Sequence, residues 1–188
     1  MTEEINPRDL LLQMLNDHRM EERIRAINSE ERFSYETWDS ASIEERQVIL
    51  QEYMDALAPI FGLSDLTPLC FEVPTSDQNR YTANGTYSFS TGLIWINPNN
   101  LDSADSFYRF RTVRHELRHS YQDSAVSDPD NFIVAPPVRE VWGNNFPPNY
   151  IAPGSTAHFN QPIETDAWAF GELREWQVRT DTGWSAIE

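Results

Sequence analysis

The stretch Thr112-Val113-Arg114-His115-Glu116-Leu117-Arg118-His119-Ser120 contains two histidines four positions apart, with a glutamate directly after the first. In a helix, residues four apart lie one turn apart on the same face, so both imidazoles can reach one metal ion. Glu116 then projects beside that ion, where it can take a proton from a bound water. The pattern therefore predicts a helix that carries a metal site, with His115 and His119 as ligands.

The residues around this motif divide among three faces of the predicted helix. One face carries an apolar stripe at helical spacing, formed by Phe110, Val113, Leu117 and Tyr121. A second face carries the two histidines and the glutamate, and a third carries Arg111, Arg114 and Arg118. A helix with one apolar face and one histidine-bearing face is suited to the floor of a cleft. The competing interpretation is a surface helix whose histidines bind nothing.

A third protein ligand is expected, because catalytic zinc sites use three protein ligands and a water. The best candidate is Glu164, in the first turn of a helix that Pro162 begins, and small Ala167 on the same side lets the two helices approach. Asp166 points elsewhere and is expected to favour the helix dipole. His158, a short loop earlier, is the alternative ligand. Glu164 as an ordinary first-turn acid is the structural alternative.

Two segments together resemble the short bacterial zincin-like metallopeptidases of the gluzincin type. They are His115-Glu116-Leu117-Arg118-His119-Ser120-Tyr121-Gln122 and, about 45 residues on, Gln161-Pro162-Ile163-Glu164-Thr165-Asp166-Ala167. The resemblance covers about residues 85–175, and the pairing of both segments is more specific than the histidine motif alone. It implies a zinc ion (Zn2+), held by His115, His119 and Glu164, with Glu116 as the general base.

The residue that stabilises the oxyanion is less well defined by the sequence. Proteins of this type often place a tyrosine shortly before the proline of the second segment, where this chain has His158 and Phe159. A hydrogen-bond donor is required at the position where negative charge develops. The candidates in the loop between the two ligand helices are His158, Tyr150 and Arg139.

Hydrophobic periodicity predicts the remaining elements. Helices are expected over residues 7–27, 43–61 and 162–178, with a short one near 138–144 and loops elsewhere in 123–160. The first helix should bury an apolar stripe of Leu10, Leu11, Met14, Leu15 and Met20. Strands are expected over 69–73 and 93–97, and Asn84-Gly85 indicates a hairpin turn within 81–87.

This order of elements predicts an α+β, zincin-like fold. It combines N-terminal helices, a small and mostly antiparallel sheet, the motif helix and a C-terminal ligand helix. Residues 1–65 form the helical part and residues 66–188 the catalytic part, within what is expected to be one compact domain. An edge strand within 87–97 is one interpretation for the substrate cleft, where a peptide can pair with it. A plain core hairpin is the other.

Composition narrows the class of protein. A net charge of −16 argues against nucleic acid and against anionic membrane as partners. No run is long and apolar enough to span a membrane, and the acidic N-terminus lacks a signal-peptide pattern. The single Cys70 fits a reducing compartment and a buried packing role. A cytoplasmic protein is therefore expected, although delivery as an effector is compatible with the same features.

The expected function is zinc-dependent hydrolysis of a protein or peptide substrate, with Glu116 as the general base on a metal-bound water. One alternative is a non-catalytic zinc-binding interaction module, which would not need Glu116. Another is an effector or toxin protease that is delivered to another cell.

The chain also lacks lysine, since all 14 of its Lys and Arg residues are arginine. A surface without lysine cannot accept ubiquitin-like conjugation or acetylation at side chains. We therefore expect a link to a lysine-modifying environment, with codon bias as the competing explanation.

Overall fold

A computed structural model of the chain describes residues 6–72, 83–102, 106–153 and 155–174. These residues form an α+β arrangement of helices and one two-stranded antiparallel sheet, which confirms the predicted fold class at that level. The helices are α1 (Pro7–Asn28), α2 (Tyr35–Ser40), α3 (Ile43–Leu57), α4 (Ser106–Ser127), α5 (Pro136–Asn145), α6 (Thr156–Phe159) and α7 (Pro162–Gly171). The strands are β1 (Gly85–Tyr87) and β2 (Ile94–Ile96).

Helix α4 lies at the centre, in contact with α3, α5, α7 and β1. Its predicted apolar stripe is buried throughout, at Phe110, Val113, Leu117 and Tyr121. These side chains join a hydrophobic core that also includes α1, α3 and α7 residues. The N-terminal helices and the motif helix therefore share one core, while the domain boundaries stay a prediction.

Helix α1 has the predicted limits to within one residue, but its predicted buried face is wrong. Asn6 caps its start by accepting a hydrogen bond from the Arg8 backbone N–H, and Pro7 follows in the first turn. Four of the five predicted stripe residues are exposed, namely Leu10, Leu11, Met14 and Leu15, and only Met20 is buried. The buried face instead carries Gln13, Met20, Ile24 and Asn28, because that face meets the rest of the protein.

Helix α3 begins where a complete capping box is formed by Ser42 and Glu45. It ends at Leu57, four residues before the predicted end. Ala58 still has helical backbone angles, but Pro59 has no N–H to continue the helical hydrogen bonds. The six-residue α2 was not predicted, since it is too short to show a helical period.

The predicted turn at Asn84-Gly85 is wrong. Gly85 opens β1 and pairs with Ile96, and the Asn97 N–H donates to the Asn84 carbonyl, so the ladder runs through both residues. The hairpin turn instead lies within 88–93. Of the strand predicted over 69–73, only Cys70 forms a bridge, parallel to Trp95, and position 73 lies outside the described residues.

The C-terminal helix that carries Glu164 ends earlier than predicted, as far as the described residues show. Helix α7 begins at Pro162 as predicted and ends at Gly171, followed by one 3-10 turn over Glu172–Arg174. Positions 175–178 of the prediction lie outside the described residues. The short helix predicted near 138–144 is present as α5. None of the described helices is both long and apolar enough to cross a membrane.

Candidate metal centre

Helix α4 brings its two motif histidines together as their spacing predicts. The Nε2 atoms of His115 and His119 lie 3.1 Å apart. Both rings are buried, because the histidine-bearing face of α4 packs against α7 and β1 rather than facing solvent.

Helix α7 adds the predicted third residue. The Glu164 carboxylate lies with Oε2 at 3.3 Å from His115 Nε2 and Oε1 at 3.4 Å from His119 Nε2. Ala167, one turn further along, is fully buried, in agreement with the predicted close approach of the two helices. Residues from α4 and α7 therefore converge on one point, although 45 positions separate His119 from Glu164.

These three side chains can hold a metal ion, since one ligand atom from each lies within 4.8 Å of the other two. Glu164 Oε2 is buried and has no hydrogen-bond partner among the described residues. Burial by itself raises the pKa of Glu164, but the adjacent imidazoles of His115 and His119 lower it overall. An ionised carboxylate with an unpartnered oxygen beside two imidazoles is a suitable donor set for a cation.

Glu116 lies between this group and the sheet. Burial, the largest effect, raises the pKa of its carboxyl, while the backbone N–H of Tyr87 donates a hydrogen bond to it and acts in the opposite direction. Gly85 permits this approach of β1, because a Cβ there would lie 2.6 Å from Thr112 Cγ2 and 3.3 Å from Glu116 Cγ. The strand thus contacts the predicted base through the Tyr87 N–H.

The structure separates the three candidate oxyanion donors. The Tyr150 hydroxyl donates to Glu164 Oε1 at 2.7 Å. His158 Nε2 lies 3.6 Å from Glu164 Oε2, but this residue is not part of the three-residue group that can hold a metal ion. Arg139 donates to the Pro129 carbonyl and has no contact with the group among the described residues. Tyr150 and His158 therefore adjoin the centre, and Arg139 does not.

Two residues that the sequence interpretation missed touch the histidine rings. Gln122 Oε1 lies 2.8 Å from His119 Nδ1, and the Trp168 ring packs on His115 with ring centroids 4.4 Å apart. Gln122 follows His119 by three positions and so shares its helix face, a signal that was present in the sequence. Trp168 lies on another helix, and no sequence pattern connects it with His115.

Asp166 has a different role from the predicted one. Its carboxylate accepts two hydrogen bonds from Arg118, at 2.7 and 3.0 Å, rather than serving mainly the dipole of α7. It lies at one end of a row of three contacts between the arginine face of α4 and the segment of α7 and the turn after it. The others are Arg114 with the Gly171 carbonyl and Arg111 with Glu172. This row fixes the helix of Glu164 against the helix of both histidines.

Comparison of the chain with protein-family models, with curated proteins and with solved structures found no match. Interpretation of the centre therefore rests on its own geometry and chemistry.

Proposed function

We propose that this chain is a zinc-dependent peptidase of the zincin-like type. The observation that carries the proposal is the buried carboxylate of Glu116, which lies beside His115, His119 and Glu164 on one side and the Tyr87 backbone on the other. A purely structural metal site has no need for a second acidic group in that position. A peptidase needs one, because a proton must leave water and reach the departing amine.

Zinc fits this donor set. Two imidazoles and one carboxylate are the protein ligands of a known class of catalytic zinc site, and bonds of about 2.0–2.1 Å in tetrahedral geometry separate the ligand atoms by about 3.3–3.4 Å. Here the two Nε2 atoms lie 3.1 Å apart, and each lies close to a different oxygen of Glu164, at 3.3 Å from Oε2 for His115 and at 3.4 Å from Oε1 for His119. When bound, zinc supplies a Lewis acid that polarises the scissile carbonyl and lowers the pKa of water.

Glu116 acts as the general base. Its carboxylate accepts a proton from the attacking water and later delivers that proton to the leaving amine. Burial raises the pKa of this carboxyl, which makes the carboxylate a stronger base than one in water. The Tyr87 N–H holds the carboxylate in place while leaving its other lone pairs for the water.

Tyr150 is the better of the two candidate oxyanion donors. Burial and the nearby Glu164 raise the pKa of its hydroxyl, so it keeps its proton. The Nδ1 atom of His158 lies 2.9 Å from the Ile151 carbonyl, which can only accept, so this nitrogen carries the proton. The Nε2 of neutral His158 is then an acceptor. His158 can donate towards the centre only as an imidazolium.

A peptide substrate fits along β1. One edge of this strand pairs with β2, and no other described strand occupies the second edge, where the Tyr87 N–H reaches Glu116. Backbone pairing at such an edge holds an extended peptide in register. The edge strand was predicted within 87–97, and this is wrong for β2, the strand in that range, because it is paired on both sides, with β1 and with Cys70. The proposed edge is therefore β1, of which only Tyr87 falls in the predicted range.

Burial favours one alternative, a non-catalytic zinc-binding module. His115, Glu116, His119, His158 and Glu164 are exposed by only 7, 6, 3, 6 and 1%. A closed centre of this kind is typical of structural zinc, whereas a catalytic site keeps one position open. The two functions differ in whether Glu116 matters for chemistry, which an experiment can decide.

The experiment compares wild type with Glu164→Ala and Glu116→Gln. Zinc content is measured after dialysis, and each protein is incubated with a cell proteome in which new N-termini are identified. We expect one zinc per chain in wild type and Glu116→Gln, and none in Glu164→Ala. Cleavage should fall by roughly a hundredfold or more in Glu116→Gln, as for a lost general base.

Glu172→Gln is the matched control, because it removes an acid from the turn after α7 without touching the three-residue group. It should keep both zinc and cleavage. Zinc-free wild type would refute the proposal. Zinc-loaded wild type and Glu116→Gln with the same set of N-termini would favour the non-catalytic module.

A further inference from the structure

The ring of His119 is held in one orientation by Gln122. The Gln122 Nε2 atom lies 3.0 Å from the Ile163 carbonyl and 2.7 Å from Asp166 Oδ2, and both of these atoms can only accept. The amide nitrogen must therefore face them, which directs Oε1 towards His119 Nδ1 at 2.8 Å. Since Oε1 accepts, Nδ1 carries a proton, and Nε2, on the side of Glu164, is the nitrogen that a metal ion would use.

Asp166 is in turn fixed by Arg118. The guanidinium donates to both carboxylate oxygens of Asp166, and it lies 3.4 Å from Asp17 on α1. Arg118 is fully buried, with its guanidinium carbon 3.7 Å from the ring centroid of Phe170 and 4.6 Å from that of Tyr121. A planar cation bonded at its edge and covered by aromatic rings has little freedom to move.

We propose that Gln122, Asp166, Arg118 and Asp17 form a relay that positions His119 for metal binding. The relay sets the tautomer and the ring angle of this ligand, and Arg118 acts on it only through Asp166 and Gln122. Helix α1 supports the centre through Asp17, at the far end of the relay. This inference rests on the proposed zinc site and adds to it four positioning residues.

The relay serves one histidine and not the other. His115 Nδ1 is buried and has no hydrogen-bond partner among the described residues. Its ring is restrained by packing against Trp168 instead. Partners that orient a metal-bound histidine typically contribute 10–100-fold to metal affinity. That contribution is therefore concentrated on the His119 side of the centre.

The test measures zinc affinity by competition with a chromophoric chelator, and the visible absorption spectrum of the cobalt-substituted protein. Gln122→Leu should weaken zinc binding by roughly 10–100-fold and alter the cobalt spectrum, because His119 loses its acceptor. Asp166→Asn should have a smaller effect of the same kind, and Asp17→Asn the smallest. Glu172→Gln removes a different contact between α4 and α7 and should leave both readouts at wild-type values.

Proton exchange in the zinc-loaded wild type provides a measurement that needs no variant to fold. The His119 Nδ1 proton should exchange with solvent more slowly than that of His115, because only the former is donated to a buried acceptor. Equal exchange rates would overturn the relay.

The variants separate failure of the relay from failure of the proposed function. Wild type that binds no zinc would refute the proposed function and the relay with it. Zinc-binding wild type with an unchanged Gln122→Leu variant would overturn the relay alone. An equal loss of affinity in Glu172→Gln would also overturn it, because helix docking in general would then explain the effect.

Discussion

Helices α1 and α4 are both 22 residues long, yet α1 exposes several apolar side chains, whereas α4 buries several polar ones. The first half of α1 leaves Leu11, Met14 and Leu15 between 46 and 61% exposed. Helix α4 buries Arg114, Arg118 and Gln122 completely. Hydropathy alone would assign the opposite burial to both sets of side chains.

The two helices differ in the groups that their side chains contact. Each of these three side chains of α4 meets a complementary group on α7: the Gly171 carbonyl for Arg114, the Asp166 carboxylate for Arg118 and the Ile163 carbonyl for Gln122. Buried polar groups are tolerated when they are hydrogen-bonded in this way. At the start of α1, the side chain anchored to the rest of the protein is polar Gln13, which accepts from the Ala135 N–H. Burial is therefore decided by which surfaces meet.

Among the variants that test this comparison, Arg118→Met should lower the free energy of unfolding the most. The substitution makes α4 more apolar, yet it removes one partner from an ion pair and leaves Asp17 and Asp166 without their cation. Such a change costs about 3–5 kcal/mol in a buried pair, and the 23 and 25% exposure of the two carboxylates indicates the lower end. Chemical denaturation measures the free energy of unfolding.

Arg23→Met on the exposed face of α1 is the control, with an expected change within about 0.5 kcal/mol. If Arg118→Met were as stable as wild type, apolar packing would be sufficient on this face of α4, and the argument from partners would fail.

Gly85→Ala should have the next largest effect, because it forces β1 away from α4. The added Cβ would lie 2.6 Å from Thr112 Cγ2 and 3.0 Å from the Trp95 carbonyl oxygen. Overpacking of this kind costs about 1–3 kcal/mol. Thermal unfolding measures the loss. If the chain is the proposed peptidase, cleavage of a substrate should fall as well, since Tyr87 and Glu116 move apart.

Gly143→Ala is the matched control for that variant. Its Cβ would meet only Val126 Cγ1, at 3.4 Å, in a helix where alanine is favoured over glycine by up to about 1 kcal/mol. A Gly85→Ala protein as stable as Gly143→Ala would show that β1 can shift without cost.

Met14→Ala should have the smallest effect. Met14 is 61% exposed, so its truncation should change the free energy of unfolding by no more than about 0.5 kcal/mol. Met20→Ala on the same helix removes a side chain that is 4% exposed and should cost about 2–5 kcal/mol. Equal losses in the two variants would mean that the first half of α1 is covered in solution.

Local features of the site could be predicted from the sequence. The spacing of His115 and His119 fixes their common face through helix geometry, and Pro162 marks the start of the helix of Glu164. The N-terminal ends of α1 and α3 follow from capping residues, which act within a few positions. These features depend on contacts between neighbours in the chain, and so the sequence contains them.

Features that depend on distant partners were decided by the tertiary structure. The Asn84-Gly85 pair is typical of a hairpin turn, but here it belongs to the ladder with β2, and Gly85 lies close to Thr112 of α4. Periodicity identifies the apolar stripe of α1 without indicating whether another surface covers it. Arg118 meets Asp17 across 101 positions. Helix geometry determines which side chains share a face of one helix. Only the packing of the helices against one another determines which groups those side chains contact.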